Sequence, residues 1–226
     1  VDQINKRIEN ENILEERNCA ICETSDFKKL YEKDRYGINY YTGICKNCGL
    51  MQQYLYPNNE FINIFYEKFY NDLYAFFDGP KSRFESQFKS GAHKYKIIKS
   101  HFKNYSPSTV LEIGCGAAGI LAYFQSKNLK CFGVDYENSH LDYARSKNIK
   151  VSSSLNNIKQ KFDIIILSHV LEHIVSFEET LEKCKELCSN EGLIYVEVPS
   201  IESIANHYDY EILNYLHIAH VTHFTK

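Results

Sequence analysis

From residue 106 to residue 200 the sequence alternates short apolar runs with segments of helical spacing, and this alternation constrains the fold more than any other feature. The apolar runs are STVLEIG, KCFGVD, KVSSS, KFDIIILSHV and GLIYVEVPS. Segments such as GILAYFQSKN, NSHLDYARSKN and SFEETLEKCKELC lie between them. Strands that alternate with helices form parallel sheets through right-handed crossovers, with helices on both faces. The pattern predicts an α/β fold with a Rossmann-like, doubly wound, mostly parallel sheet.

The first of these strands runs into a glycine-rich turn, VLEIGCGAAGI. Gly114, Gly116 and Gly119 have the G-x-G-x-x-G spacing that lets a ligand approach the backbone at a helix N-terminus. That spacing is equally typical of NAD binding. Glu112, however, stands where the NAD fingerprint has an apolar residue, and burying an unpaired carboxylate is costly. Either a Lys or a backbone amide pairs with Glu112, or Glu112 organises a cationic ligand. The second interpretation favours S-adenosylmethionine (SAM), which carries an ammonium and a sulfonium.

Four segments in this order, VLEIGCGAAG, GVD, FDIIILSHVLEHI and GLIYVEVPS, resemble the successive motifs of class I SAM-dependent methyltransferases. The resemblance covers residues 106–200 and departs at Ala118, where many members have Gly. It implies a site for each part of SAM. The methionine part would lie at Glu112, Gly114, Cys115 and Gly116, the ribose at Asp135, the adenine near residues 152–155, and the sulfonium at Ser168 and His169. Tyr136 is a further cofactor-binding candidate.

Four of the eight cysteines form two C-x-x-C pairs, Cys19/Cys22 and Cys45/Cys48. Four thiolates at this spacing are typical of a tetrahedral structural zinc site. Such a site has no open coordination position, so the zinc would stabilise a small module rather than catalyse. Unligated thiols or a redox pair are the alternatives.

Composition limits the classes of function. The chain has 29 acidic residues against 26 Lys and Arg, a net charge of −3, which counts against nucleic acid as the partner. No apolar run is long enough to span a bilayer, and the polar start is unlike a signal peptide. We therefore expect a cytoplasmic protein that does not bind membranes.

We expect five segments along the chain: a polar N-terminal segment (1–18), the zinc module (19–56), a helical connector broken at Gly79-Pro80 (57–105), the SAM-binding core (106–200) and a post-core segment on the acceptor side (201–226). The chain ends at Lys226, soon after the fifth strand. Either C-terminal strands are missing, or a partner, such as a second copy in a homo-oligomer, covers the edge of the sheet.

The segments ICKNCGLMQQYLYP and FYEKFY resemble the zinc-binding region that precedes the core in bacterial sugar methyltransferases, over residues 19–75. These include C-methyltransferases that act on nucleotide-linked deoxysugars. The resemblance implies that Tyr66 and Tyr70 approach the methionine end of SAM. Aromatic packing at helical spacing explains both tyrosines equally well.

The segment NYLHIAHVTHFTK carries His217, His220 and His223 at steps of three, which on a helix would place them on one face. They are exposed or capping residues, a second metal site, or a source of a catalytic base. The sugar C-methyltransferase resemblance places the catalytic histidine at His220, but the family has Glu at Ala219 and Tyr at His217. We therefore favour His220 as the base for O-methylation or for an unspecified acceptor atom.

The segment SHVLEHI carries His169, Glu172 and His173. Some SAM enzymes bind a divalent metal here with a Glu–His pair, whereas hydrogen bonding at the start of a helix explains Glu172 and His173 without a metal. His169 and His217 are further catalytic candidates. Cys184 and Cys188 are four apart in a helical pattern and are expected to be packed thiols.

The sequence thus predicts a SAM-dependent methyltransferase that acts on a small, sugar-like acceptor, possibly nucleotide-linked. Three alternatives stay open: an RNA methyltransferase with zinc, an NAD(P)-dependent oxidoreductase, and a non-enzymatic zinc-ribbon binding protein.

Overall fold

The computed structural model describes residues 1–11, 13–74, 78–102, 105–156, 158–204 and 211–225. The chain divides into two compact units. Unit 1 comprises Val1–Ala75, Leu171–Glu178 and Val198–Lys226, and unit 2 comprises Phe76–Val170 and Glu179–Glu197. Within the described ranges, no helix has both the length and the apolar character needed to cross a membrane.

Unit 2 is built on a parallel sheet. Its strands are β5 (Thr109–Ile113), β6 (Lys130–Val134), β7 (Lys150–Ser152), β8 (Phe162–Ser168) and β9 (Cys188–Glu197). Their order in the sheet is β7-β6-β5-β8-β9, and all four pairings are parallel. The predicted α/β fold with a parallel sheet is therefore confirmed. The chain leaves β5 for β6 on one side, and β8 lies on the other, so the carboxyl ends of β5 and β8 form the switch point at which such sheets bind ligands.

The helices of this part of the chain are α4 (Gly79–His101), α5 (Gly119–Gln125), α6 (Asn138–Ser146) and α7 (Phe177–Leu187). Pro80 lies in the first turn of α4, where its missing N–H costs nothing. Cys188, expected on the helix with Cys184, is instead the first residue of β9, because α7 ends at Leu187 and the chain turns directly into the strand.

Buried aliphatic side chains explain the stability of the central strands. In β8 the run Ile164–Leu167 is at most 1% exposed, as expected for a strand covered on both faces. The core of unit 2 joins Ile164 and Ile166 to apolar side chains of α5 and α6, among them Leu121, Phe124, Leu141 and Ala144.

Unit 1 contains an antiparallel sheet. Its elements are α1 (Asp2–Asn10), β1 (Leu14–Glu16), β2 (Phe27–Lys33), β3 (Asn39–Cys45), β4 (Met51–Pro57), α2 (Asn59–Lys68), α3 (Tyr70–Tyr74), α8 (Ile212–Tyr215) and β10 (Thr222–His223). The sheet order is β1-β4-β3-β2, and β10 also pairs with β4. Asn58 caps α2 by accepting a hydrogen bond from the amide of Phe61 at 3.0 Å. The aromatic helical pattern predicted after Pro57 extends to residues 75–77, which lie outside the described residues.

Amphipathic elements supply the core of unit 1. Ile4 and Ile8 of α1, Tyr40 of β3 and Phe61 and Phe65 of α2 are each at most 3% exposed and belong to one cluster. The C-terminal residues Tyr215, Leu216, Ile218 and Ala219 complete it. The segment that carries the histidines is thus part of the core of this unit.

Candidate functional site

The glycine turn follows β5 at the carboxyl edge of the parallel sheet. Gly114 has φ +71°, and a Cβ there would lie 2.4 Å from Cγ2 of Val170. The amides of Gly114 and Cys115 both donate to the carbonyl of Val134 at the end of β6. Glycine is therefore required at position 114, and the turn is held beside the neighbouring strand.

Gly119, the third glycine of the motif, lacks a side chain for a different reason. A Cβ at Gly119 would lie 2.1 Å from the carbonyl oxygen of Phe84 and 2.7 Å from Cβ of Gln87, both on α4. Close packing of α4 against the start of α5 therefore excludes a side chain at this position. Ala118, just before α5, has φ +62°, a left-handed conformation that costs an L-residue about 1–2 kcal/mol. This strain explains why glycine is common at that position in the resembling family.

Glu112 is the most unusual group in unit 2. It lies in β5, is 1% exposed, and its Oε2 atom is buried with no hydrogen-bond partner among the described residues. Burial raises the pKa of Glu112 well above its usual range, the ammonium of Lys94 opposes this rise, and Asp135 adds to it. Lys94 thus acts on Glu112 through its charge, while Oε2 has no donor among the described residues, and the site fits a cationic group.

Asp135 follows β6 and stabilises the glycine turn directly. Its Oδ2 accepts a hydrogen bond from the amide of Gly116 at 2.7 Å, and its Oδ1 accepts one from the amide of Glu137 at 3.0 Å. Tyr136 beside it is 89% exposed, whereas Cys115 is fully buried. Asp135 and Tyr136 therefore lie at the carboxyl edge, while the thiol of Cys115 packs beneath the turn.

The end of β8 carries a second polar group. Ser168 Oγ donates to Oε2 of Glu197 at 2.6 Å, and the amide of His169 donates to the carbonyl of Glu197 at 2.8 Å. His169 has φ +57°, a strained conformation for a residue with a side chain. The Nζ atom of Lys94 lies 2.6 Å from the same Glu197 oxygen. Ser168 and His169 are thus held at the switch point with the residues of the glycine turn.

Sequence reasoning missed the contribution of α4. Gln87 Nε2 donates to the carbonyl of Cys115 at 3.0 Å, and its Oε1 accepts from the amide of Gly119 at 3.2 Å. Lys94, seven residues further along the same helix, is 4% exposed and bound to Glu197. The seven-residue spacing places both on one helix face, and this was the signal available in the sequence.

The four paired cysteines meet in unit 1. The Sγ atoms of Cys19 and Cys48 are 3.4 Å apart, as are those of Cys22 and Cys45. All four sulfur atoms lie within 4.8 Å of one another. Four thiolates around one zinc ion at about 2.3 Å would show comparable separations, whereas a disulfide would bring two sulfurs to about 2.05 Å. The donor set therefore fits a tetrahedral metal.

The histidine segment of unit 1 is fixed by buried polar side chains. Asp34 Oδ2 accepts from the amide of Ile218 at 3.1 Å. Gln53, 1% exposed, donates from Nε2 to the carbonyls of Ile218 at 2.9 Å and His220 at 3.0 Å. The amide of Val221 donates to the carbonyl of Glu172 at 2.7 Å, which joins this segment to the LEH segment.

The three histidines do not lie on a helix face. α8 ends at Tyr215, and His223 is in β10, where its Nε2 lies 2.5 Å from the hydroxyl of Tyr40. The rings of His217 and His220 are 3.5 Å apart between centroids. All three are at most 9% exposed, which excludes the exposed alternative. Burial lowers the pKa of His223 to about 3 and the pKa values of His217 and His220 well below the usual range, so the imidazoles are neutral.

The LEH segment forms a short 3₁₀ turn at Leu171–His173. His173 Nδ1 faces the carbonyl of Ala219 at 2.9 Å, and the Tyr66 hydroxyl lies 3.4 Å from the same nitrogen. Tyr66 and Tyr70 contact each other at 5.0 Å between ring centroids. The two tyrosines are packed aromatics of unit 1, and the predicted role at SAM stays a prediction.

Comparison with known proteins identifies the family. A family model described as a methyltransferase domain matches residues 87–226, more than half of the chain. The chain belongs to this methyltransferase family. The matched region begins within α4, at Gln87, and so includes Gln87 and Lys94, which bind the glycine turn and Glu197.

Curated relatives of this chain match over shorter stretches. The (S)-coclaurine N-methyltransferase of Papaver somniferum is 27% identical over 113 residues, 45% of this chain and 32% of the relative. The ubiquinone biosynthesis O-methyltransferase of Rickettsia bellii is 32% identical over 92 residues, 36% of this chain and 38% of the relative. The chain therefore spans about a third of the length of these relatives.

Among solved structures, a proposed O-methyltransferase of Nostoc punctiforme PCC 73102 has a TM-score of 0.50. It is 17% identical in sequence, and the similarity covers 63% of this chain and 47% of that one. At this identity the similarity supports the fold of the methyltransferase core.

Proposed function

We propose that this chain is a SAM-dependent methyltransferase whose unit 2 binds SAM. The observation that carries the proposal is the buried, unpartnered Oε2 of Glu112 beside the glycine turn, where the described residues offer it no donor. A cationic hydrogen-bond donor would offset the free-energy cost of burying this carboxylate oxygen. The α-ammonium of SAM is such a cation and has three N–H donors. NAD(P) has no ammonium group to offer, which favours SAM over the cofactor of the oxidoreductase alternative.

Other residues at the edge have matching chemistry. Each Asp135 oxygen already accepts one backbone amide, and the remaining lone pairs would accept hydrogen bonds from ribose hydroxyls. Gly114, Cys115 and Gly116 would lie along the methionine part, and Tyr136 beside the ribose. Ser168 and His169 would line the side of the sulfonium. When bound, SAM supplies the methyl group, and the residues of this chain orient it.

We further propose a small, sugar-like acceptor, possibly nucleotide-linked, and assign the removal of the acceptor's proton to His220. A neutral imidazole accepts a proton from a hydroxyl group, and the Nδ1 atom of His220 is buried with no partner among the described residues. His217 and His169 are the second candidates. The cytoplasmic location expected from the sequence stays a prediction.

The four-cysteine cluster would hold a structural zinc ion that stabilises the two turns carrying Cys19/Cys22 and Cys45/Cys48. Cys45→Ser should lower the zinc content of the purified chain and its melting temperature together. Cys184→Ser, a buried thiol outside the cluster, is the matched control and should leave the zinc content unchanged.

The proposed cofactor is tested by calorimetric titration with SAM, S-adenosylhomocysteine and NADH. We expect binding of both SAM-type ligands, loss of that binding in Glu112→Ala and Asp135→Ala, and no binding of NADH. Binding of NADH in place of SAM would overturn the proposal. Release of S-adenosylhomocysteine in the presence of a panel of nucleotide sugars then tests the acceptor class, with RNA as the competing substrate.

A further inference from the structure

Two alternatives that the sequence kept apart, a metal at the LEH segment and a metal among the C-terminal histidines, meet at one place in unit 1. One donor atom each from Glu172, His173 and His220 lies within 4.8 Å of the others. Glu172 is 2% exposed and His220 is 9% exposed. Two imidazoles and one carboxylate are the ligand set of many divalent transition-metal sites.

The tautomer of His173 supports ligation. Its Nδ1 atom faces the carbonyl of Ala219 at 2.9 Å, and a carbonyl only accepts, so Nδ1 carries the proton in the neutral ring. Nε2 then carries the ring's lone pair, and it lies 3.9 Å from Oε1 of Glu172. Protein metal sites use this arrangement, in which the distal ring N–H of a ligating histidine donates to a backbone carbonyl.

His220 supplies an independent observation. Its Nδ1 is buried and makes no hydrogen bond within the described ranges. The His220 ring lies 5.0 Å from that of His173 between centroids. A buried imidazole nitrogen left without a partner costs free energy, and a metal ion bound by this nitrogen would remove that cost.

The surrounding backbone fixes the three groups in place. The carbonyl of Glu172 accepts from the amide of Val221, and the carbonyl of His220 accepts from Gln53 Nε2 at 3.0 Å. Ligands held in this way need little reordering when an ion binds, which is what a metal site of useful affinity requires.

We propose that Glu172, His173 and His220 bind one divalent first-row transition-metal ion, with open coordination positions for oxygen atoms of the acceptor. The binding does not depend on the proposed function, but the role does. The ion would orient the acceptor, and a hydroxyl bound to it ionises more readily, its proton passing to solvent water. In the metal-bound state His220 acts as a ligand instead of the base assigned above.

The test is Co²⁺ binding to the full chain after the four-cysteine cluster has been saturated with Zn²⁺, without SAM. We expect a further equivalent of Co²⁺ whose visible absorption bands appear without a thiolate-to-cobalt charge-transfer band. Glu172→Gln and His220→Gln should each weaken this binding at least tenfold. His101→Gln, which removes an exposed histidine of α4, is the control and should bind like the parent chain.

A second measurement on the parent chain covers the case in which the variants do not fold. On addition of Zn²⁺ beyond the first equivalent, the ring ¹⁵N resonances of His173 and His220 should shift, and that of His101 should not. Absence of a second equivalent, or a second equivalent that leaves both ring resonances unmoved, overturns the proposal. Because SAM is absent, failure here leaves the proposed methyltransferase activity to its own test.

Discussion

Replacing Glu112 by glutamine should stabilise the free chain at neutral pH and weaken SAM binding at the same time. Burial raises the pKa of Glu112 well above its usual range. A group whose pKa is raised by folding stabilises the fold fully below its unfolded pKa, and that contribution is lost as the pH rises through the folded pKa. At neutral pH the free chain therefore loses stability either by burying the charge of Glu112 or by holding a proton that the unfolded chain would release. A glutamine amide of the same size has neither cost.

The expected loss of SAM affinity follows from Oε2 of Glu112, the buried oxygen without a donor among the described residues. A hydrogen bond to a charged group is worth about 1.5–3 kcal/mol, so Glu112→Gln should weaken SAM about tenfold to a hundredfold. SAM binding should also lower the pKa of Glu112, because the ammonium favours the ionised carboxylate, so the parent chain should release a proton at pH values between the free and the SAM-bound pKa. The glutamine variant has no such proton, and its affinity should vary less between acidic and neutral pH.

The assay is isothermal titration calorimetry in two buffers of different ionisation enthalpy, with urea unfolding of the free chain alongside. Asp163→Asn is the matched control for the calorimetry, since Asp163 is a buried carboxylate of the same sheet but lies at the start of β8, away from the glycine turn. It should keep the proton release of the parent. A glutamine variant that binds SAM as tightly as the parent, with the same proton release, would refute the assignment of Glu112.

Three further outcomes are expected. Burial alone would raise the pKa of Asp163, but hydrogen bonds from Tyr105, the Ser108 amide and the Thr109 hydroxyl outweigh burial and hold that pKa well below its usual range. Asp163→Asn should therefore lower the free energy of unfolding by about 2–3 kcal/mol at pH 7. In urea titrations this difference should shrink below about pH 4, where the unfolded chain binds the proton. Gly119→Ala should cost about 2 kcal/mol or more by thermal unfolding, because its Cβ would meet α4. Gln53→Ala should cost about 2 kcal/mol, because it removes one donor from each of two buried carbonyls, and an unchanged urea midpoint would contradict this.

The core of the parallel sheet could be predicted because its signals are local. Apolar residues dominate β5, β6, β8 and β9, and a glycine turn or a helical pattern follows β5, β6 and β8, so neighbouring residues alone revealed the order of these elements. Glu112 was visible for the same reason, as a carboxylate inside an otherwise apolar strand. The two cysteine pairs were visible through their spacing.

The C-terminal histidines show where local reasoning ends. Their step of three suggested a helix face, but this segment is placed by Asp34, Gln53 and the pairing of β10 with β4. No periodicity in residues 217–223 reports contacts with residues so distant in the chain. Tertiary packing therefore decided their conformation over the helical spacing.

The sequence by itself determined the α/β core, the glycine turn, the unusual carboxylate at Glu112 and the four-cysteine module, since each depends on residues close together in the chain or on burial that periodicity reports. Only the tertiary structure decided that Lys94 reaches Glu197 and that His173 faces Ala219, 46 residues away. Such pairs arise from how the chain folds back on itself, and the free energy that selects them comes from burying polar groups with their partners, which no short window of sequence contains.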